Sequence, residues 1–413
     1  MDSILDPISA SRPGSERLAE LVRKQPPGLS LARPFYTAAE VFEADLERVW
    51  SRNWVFVGHA ARIPQTGDYL TVEIGQESLI VVRDERGHIN ALLNTCRHRG
   101  SRVCVESAGR ASRLVCPYHQ WTYAHDGTLL AARHMPPDLD KSRFGLRRAQ
   151  ARVTQGLIFV CLDEPALPFD GFEQLIGPRL RHHELDRARI AAQKTYLVDA
   201  NWKLVVENSR ECYHCGAGHP QYCRAVGFAA AIDSPESAEE DASTAGRRRA
   251  LLESAGIEGD PVPFAPGTWF HFRRFFLREG MLTESMDGAP VAPLMGRIAS
   301  YEMGVFAVIG LPNLLIEASP DYVMSLGLYP VSPGRTRAEV TWLVRGDARE
   351  GVDYDRERLT EFWRLTSEQD WALCENNQAG VNARGYEPGP YAPDERNVEH
   401  FVRWYLDQVD ATP

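Results

Sequence analysis

Two short stretches, CRHRGSRVC and CPYHQWTY, constrain this chain more than any other feature. The first carries Cys96 and His98 as C-x-H, the second Cys116 and His119 as C-x2-H, with seventeen residues between His98 and Cys116. Each pair is a two-residue claw on a loop, so both claws can converge on one small object. The surrounding chain has a matching texture. DYLTVEIG, ESLIVVRD, HINALLN, SRLVCPYH and GLIFVCLD are short apolar or alternating runs broken by Gly, Asn, Asp and Pro. That pattern predicts a small antiparallel β domain over residues 55–165.

Two thiols and two imidazoles on converging loops suit a cluster of two irons with mixed ligands. The thiolates hold one iron and the imidazoles the other, and neutral imidazoles make such a cluster easier to reduce than an all-cysteine one. The same four ligands could make a Cys2His2 zinc site. Zinc fingers, however, pair C-x2-C with H-x3-H and rarely set each His beside a Cys.

The rest of the chain bounds what this domain can serve. With 413 residues, one ordinary core is exceeded and two domains are expected. A helical arm is predicted over 1–54, with helices near 15–24 and 37–54, and a larger mixed domain over 166–413. In that larger part, helices are expected at 172–186, 201–215, 355–378 and 398–408. Strands are expected at 195–200, 299–316, 321–331 and 336–346. The polar stretch 232–260 reads as a surface segment with one short helix. The 46 basic against 56 acidic residues give a net charge of −10, which argues against nucleic acid or an anionic membrane as partner. No secretory signal or membrane-spanning run is visible, so a cytoplasmic protein with reduced thiols is expected, and the eight cysteines are no disulfide framework.

CRHRGSRVC followed by CPYHQWTY resembles the Rieske [2Fe–2S] motif of the Rieske non-heme iron oxygenases, down to the flanking Pro117, Tyr118 and Trp121. The domain order is also similar to the catalytic α subunits of that family. The resemblance implies an α+β fold: a small antiparallel Rieske domain and a helix-grip-like α/β catalytic domain with a central antiparallel sheet. It also implies a second centre, a mononuclear Fe(II) held by two histidines and a carboxylate, with a face left open for O2 and substrate.

ECYHCGAGHP is similar to the histidine motif of that second centre, which makes His214 and His219 the iron ligands. Five residues apart, they point ~140° from one another on a regular helix, so the helix must end or distort, and Gly216 and Gly218 lie where it could. The third ligand is expected in TSEQDWALCENNQ. Asp370 shares a helical face with Trp363, Thr366, Leu373 and Cys374, and a carboxylate on such a face needs a partner. A local cap or salt bridge would serve as well as iron, but the segment resembles the family's third-ligand helix. Glu211, three residues before His214, corresponds to the family's acidic bridge, usually Asp. By that likeness it joins His214 of one subunit to His119 of the next, which implies a ring-shaped homotrimer. Cys212 and Cys215 have no second C-x2-C to join and read as buried packing residues.

The resemblance further implies a flavin and iron–sulfur reductase that passes electrons from NAD(P)H to the cluster and on to the iron, with O2 as co-substrate. Within the family, NWKLVVENSRECYHC, SMDG, WLVRGDAREGVDYD, ENNQAGV and PGPY are similar to the enzymes of quaternary ammonium compounds, glycine betaine monooxygenase and stachydrine demethylase. Oxidation of an N-methyl group, with loss of formaldehyde, is the implied reaction. Residues 306–324 depart from that group, so hydroxylation of a small aromatic ring stays open as the alternative.

Overall fold

The computed structural model describes residues 13–164, 166–226, 246, 250–257 and 268–410. The fold is α+β. Helices α1 (Pro13–Lys24), α2 (Arg33–Thr37) and α3 (Ala39–Asp45) open the chain, and a π-helical turn, Leu46–Trp50, closes the arm. The helix expected to reach residue 54 therefore ends at Trp50. Its ring is taken edge-on by Trp202 at 5.3 Å, while Trp54 donates its indole N–H to the Leu167 carbonyl at 2.8 Å.

Ten strands follow: β1 (Val55–His59), β2 (Asp68–Ile74), β3 (Glu77–Arg83), β4 (Ile89–Leu93), β5 (Ala108–Arg110), β6 (Leu114–Val115), β7 (Thr122–Tyr123), β8 (Leu129–Ala131), β9 (Arg148–Thr154) and β10 (Leu157–Cys161). Among the described residues they make a seven-stranded sheet, β1-β10-β9-β4-β3-β2-β5, and a three-stranded sheet, β6-β7-β8. All pairings are antiparallel. In β2 the sequence alternates strictly between buried and half-buried positions, as a strand with one face on a core must. A separate small core lies under the claw loops, built from Ile80, Val82, Leu92, Leu114, Trp121 and Tyr123 around both claw cysteines.

The larger part begins with α4 (Asp170–Leu180) and β11 (Arg189–Val198). It continues through α5 (Trp202–Asn208), α6 (Cys215–Gly218) and α7 (Pro220–Ala225). Strands β12 (Phe270–Phe275), β13 (Val305–Gly310), β14 (Leu314–Ala318), β15 (Val323–Ser332) and β16 (Arg335–Val344) complete a six-stranded sheet in the order β11-β16-β15-β14-β13-β12. Helix α8 (Arg356–Asn382) and the closing α9 (Arg396–Asp410) follow. The run expected as one strand over 299–316 is two, turned at Leu311–Asn313. β12 is an edge strand of this sheet, with Phe270 and Phe272 buried and His271 and Arg273 alternating between them. The short helix expected within 232–260 lies largely outside the described residues. Among the described residues, no helix is long and apolar enough to cross a membrane.

The two parts are stitched by polar groups. Asn313, in the β13–β14 turn, receives the Phe56 N–H at 2.9 Å and donates to the Phe56 carbonyl at 2.8 Å. The Tyr329 hydroxyl reaches the same carbonyl at 3.0 Å.

Candidate functional site

The two claw loops share one hydrogen-bond plan. Cys96 accepts from the Gly100 N–H at 2.9 Å, and its own N–H donates to the Ser101 carbonyl at 2.8 Å. Cys116 accepts from the Gln120 N–H at 3.0 Å and donates to the Trp121 carbonyl at 2.9 Å. The residue four past each cysteine has positive φ, 80° at Gly100 and 60° at Gln120, which lets each loop turn back on itself. Asn94 pins the first loop, accepting from the Val103 and Cys104 N–H groups and donating to the Cys104 carbonyl at 2.7 Å.

The result is a graded site. Both cysteines are buried, and burial, with Cys116 alongside, raises the Cys96 thiol. The histidines lie toward the rim, ring centroids 4.6 Å apart, with His98 stacked on Trp121 at 5.0 Å. Among the described residues, the buried His98 Nδ1 has no hydrogen-bond partner. A buried imidazole nitrogen left bare, facing a second imidazole and backed by two thiols, is what a mixed-ligand metal cluster needs. Tyr123 adds a neighbour. Its oxygen accepts from the Arg97 N–H at 3.1 Å, so its proton can go to Cys96 Sγ at 3.2 Å.

The second centre forms where α5, α6, α7 and α8 meet. His214 Nε2, His219 Nε2 and Asp370 Oδ1 make a triangle with edges of 3.1, 3.2 and 2.8 Å. Two ligand atoms each about 2.1 Å from one ion, at right angles, are about 3 Å apart. The donors thus fit one face of a divalent iron. Burial pulls His214 down, but Asp370 and Glu211 outweigh it and hold it up at about 9. His219 is raised in the same way, and the two imidazoles keep Asp370 low despite its burial. The pocket is already arranged for a positive charge.

Each imidazole is oriented from behind. The His214 Nδ1–H donates to Glu211 Oε1 at 2.5 Å, and the His219 Nδ1–H donates to Gln369 Oε1 at 2.8 Å. Gln369 is in turn held by Gln221 Nε2 at 2.8 Å, which also reaches Thr366 Oγ1 at 3.1 Å. The back bonds leave both Nε2 atoms bare toward Asp370. Asn208 Nδ2 stands 3.4 Å from His214 Nε2.

Every site residue named from the sequence lies in one of these two constellations: Cys96, His98, Cys116 and His119 in the first, Glu211, His214, His219 and Asp370 in the second. The local reasons differ from expectation in three places. The helix ends at Asn208, and Glu211 reaches His214 across a turn. What separates the histidines is not a glycine bend. His219 itself leaves the helix, at φ −132° and ψ 69°, because Pro220 disfavours helical geometry in the residue before it. Gly218 serves closeness instead, since a Cβ there would lie 3.3 Å from Leu373 Cδ1. Cys212 and Cys215 are buried, as expected, but their sulfurs are bonded to one another across a Cα separation of 4.9 Å. The three-residue spacing of C-x2-C across that turn brings them within disulfide reach. Tyr123 stood in the quoted motif without a role, while Gln221, Gln369 and Asn208 had no sequence signal.

The Rieske [2Fe-2S] domain family matches residues 53–149, and the family described as ring hydroxylating alpha subunit (catalytic domain) matches residues 185–411. The glycine betaine monooxygenase oxygenase subunit of Chromohalobacter salexigens is 38% identical over 98% of this chain and 90% of its own length. This chain belongs to the Rieske oxygenase α subunits. The corresponding subunit of Pseudomonas aeruginosa is 35% identical over 98% of this oxygenase and 94% of its own length. A crystal structure of a quaternary ammonium Rieske monooxygenase with an inhibitor shares the fold, with a TM-score of 0.72 at 21% identity, covering 94% of this chain and 98% of that one. The oxygenase family pairs a [2Fe–2S] domain with a mononuclear iron domain, and the two donor sets described above suit those groups.

Proposed function

We propose that this oxygenase removes an N-methyl group, as formaldehyde, from a quaternary ammonium compound such as glycine betaine or stachydrine. The observation that carries the reading is its likeness, over nearly the full length of both chains, to glycine betaine monooxygenase oxygenase subunits. Cys96, His98, Cys116 and His119 would hold the cluster, and His214, His219 and Asp370 would hold Fe(II). When bound, the two centres supply electrons and the O2 activation that oxidises a methyl C–H bond to a carbinolamine.

The chain's own groups do the rest. Glu211 and Gln369 keep the protons on the far nitrogens of His214 and His219, so both near nitrogens stay available. Glu211 also accepts from the Tyr213 and His214 N–H groups, which hold its carboxylate still; in a homotrimer it bridges toward His119 of a neighbouring subunit. Electrons enter from an NAD(P)H-dependent flavin and iron–sulfur reductase in the cytoplasm. The carbinolamine falls apart to formaldehyde and amine without a further acid–base pair.

The test is O2 uptake coupled to formaldehyde release, with an added reductase and Fe(II), across glycine betaine, stachydrine, choline and carnitine. Coupled release with one of them is expected. A fully loaded protein that releases none, but hydroxylates a small aromatic compound, would overturn the reading.

A further inference from the structure

The turn that carries His214 also holds two sulfurs. Cys212 and Cys215 flank that histidine, and the reaction scheme gives neither a task. Cys215 Sγ lies within 4.8 Å of a ring nitrogen of His214 and of one of His219, and those two nitrogens lie within the same distance of each other. In a four-coordinate site with sulfur about 2.3 Å and imidazole nitrogen about 2.0–2.1 Å from one ion, sulfur and nitrogen stand ~3.6 Å apart. The Cys215 sulfur is thus short of ligand spacing by ~1.2 Å at most.

What holds it off is its bond to Cys212. That bond fixes the direction of the sulfur, whereas the backbone of Cys215 is held without it. The Cys215 N–H donates to the Cys212 carbonyl at 3.1 Å. The Cys215 carbonyl accepts from the His219 N–H at 2.9 Å and from the Cys223 thiol at 3.3 Å. Breaking the S–S bond therefore leaves the residue in place and frees rotation about Cα–Cβ. A move between staggered positions carries a cysteine sulfur farther than the remaining gap. The turn lies at the surface: Tyr213 is 59% exposed, and Gly216 and Ala217 are exposed too, although the two cysteines are buried.

The number of ligands decides which metal such a centre suits. His214, His219 and Asp370 alone leave a face open, as a non-heme iron oxygenase needs. A thiolate added to them makes a closed set of four, which suits Zn(II), and a soft sulfur ligand favours zinc over Fe(II).

We propose that Cys215 is a latent fourth ligand of the catalytic centre, and that its bond to Cys212 is a redox gate that keeps the centre open for Fe(II). A dithiol reductant opens the gate. It gives two electrons and two protons, the Cys212–Cys215 bond breaks to two thiols, and the dithiol closes to its own disulfide. The metal then takes the Cys215 sulfur as thiolate, and the thiol proton goes to solvent. The centre closes and its preference moves from Fe(II) toward Zn(II). The proposal rests on His214, His219 and Asp370 holding the catalytic metal.

The experiment is Co(II) binding to protein that keeps its Rieske cluster and has been freed of mononuclear metal by a chelator. A thiolate ligand gives Co(II) a charge-transfer band in the near ultraviolet, read as a difference against the metal-free protein. Alkylation and mass spectrometry report the state of the pair. Oxidised with diamide, the parent should bind Co(II) without the band. Reduced with dithiothreitol and then freed of it anaerobically, it should gain the band. Cys212→Ser should show it without reductant, and Cys215→Ser should lack it in either state, both with the cluster spectrum of the parent. Reduction of the parent should also raise its preference for Zn(II) over Fe(II) on the order of tenfold in chelator competition. Co(II) bound to the reduced parent with no band, a band that survives in Cys215→Ser, or failure of the two cysteines to pair under diamide overturns the gate and leaves the metal centre standing. No Co(II) binding in either state, or binding undiminished in Asp370→Ala, overturns the metal centre and the gate with it.

Discussion

Both histidines of the iron centre are aimed through their far nitrogens, His214 by Glu211 and His219 by Gln369. Gln369→Leu should weaken Fe(II) binding about 10–100-fold, the usual cost of losing such a partner, measured by competition with a chromogenic chelator. If Glu211 bridges to a neighbouring subunit as proposed, Glu211→Gln should leave both metals bound yet nearly abolish turnover, since an amide lacks the carboxylate's charge toward the imidazoles it would join. Iron and acid-labile sulfide analysis beside O2 uptake separates these outcomes. In the cluster, Tyr123→Phe removes a proton directed at Cys96 Sγ. Hydrogen bonds to a ligand sulfur favour the reduced state, so its potential should fall in a voltammetric titration. At this scale the candidate donors were legible because each pair is close in sequence, Cys96 with His98, Cys116 with His119, His214 with His219. Gln221 and Gln369 were not, because the contact between them spans 148 positions and leaves no local pattern.

The elements that frame the centre are fastened by a buried charge network. Asp45 Oδ2 accepts from Lys203 and from Trp202 Nε1 at 2.9 Å, and Oδ1 from the Tyr405 hydroxyl at 2.7 Å, so α3, α5 and α9 share one carboxylate. Lys203→Met strands Asp45 and should cost about 3–5 kcal/mol in denaturant unfolding, with much of it recovered in the Asp45→Asn, Lys203→Met double variant. One turn on, burial pushes Glu207 up to about 8, although the Tyr36 hydroxyl and Lys203 pull it down. Between its ordinary 4.5 and that value the folded chain keeps a proton that the unfolded chain releases. Its contribution to stability is therefore whole at acid pH and falls away as pH rises toward 8. Glu207→Gln should melt above the parent at pH 8, with the difference closing toward about pH 5. The long helices and most strands could be read from periodicity. The break after Asn208 could not, because NWKLVVENSRECYHC is helical in pattern and stops only where Glu211 turns back to the backbone of Tyr213 and His214.

For the molecule as a whole, the sequence showed a β domain followed by a mixed domain, since the change from short alternating runs to longer helical ones is plain at about residue 166. It did not show how the parts join, because Asn313 and Tyr329 grip Phe56 through its backbone, which has no side-chain signature. On the function proposed above, one chain holds two metal centres and uses the second to oxidise an N-methyl group. The most direct measurement is a single turnover: protein with both centres loaded, reduced chemically without a reductase, mixed with O2 and glycine betaine, and assayed for formaldehyde while the visible cluster band is followed. Formaldehyde together with return of the oxidised band is expected in the parent, and none in Asp370→Ala, which keeps its cluster spectrum. Equal formaldehyde from Asp370→Ala, or none from a fully loaded parent with any quaternary ammonium compound tested, would contradict that function.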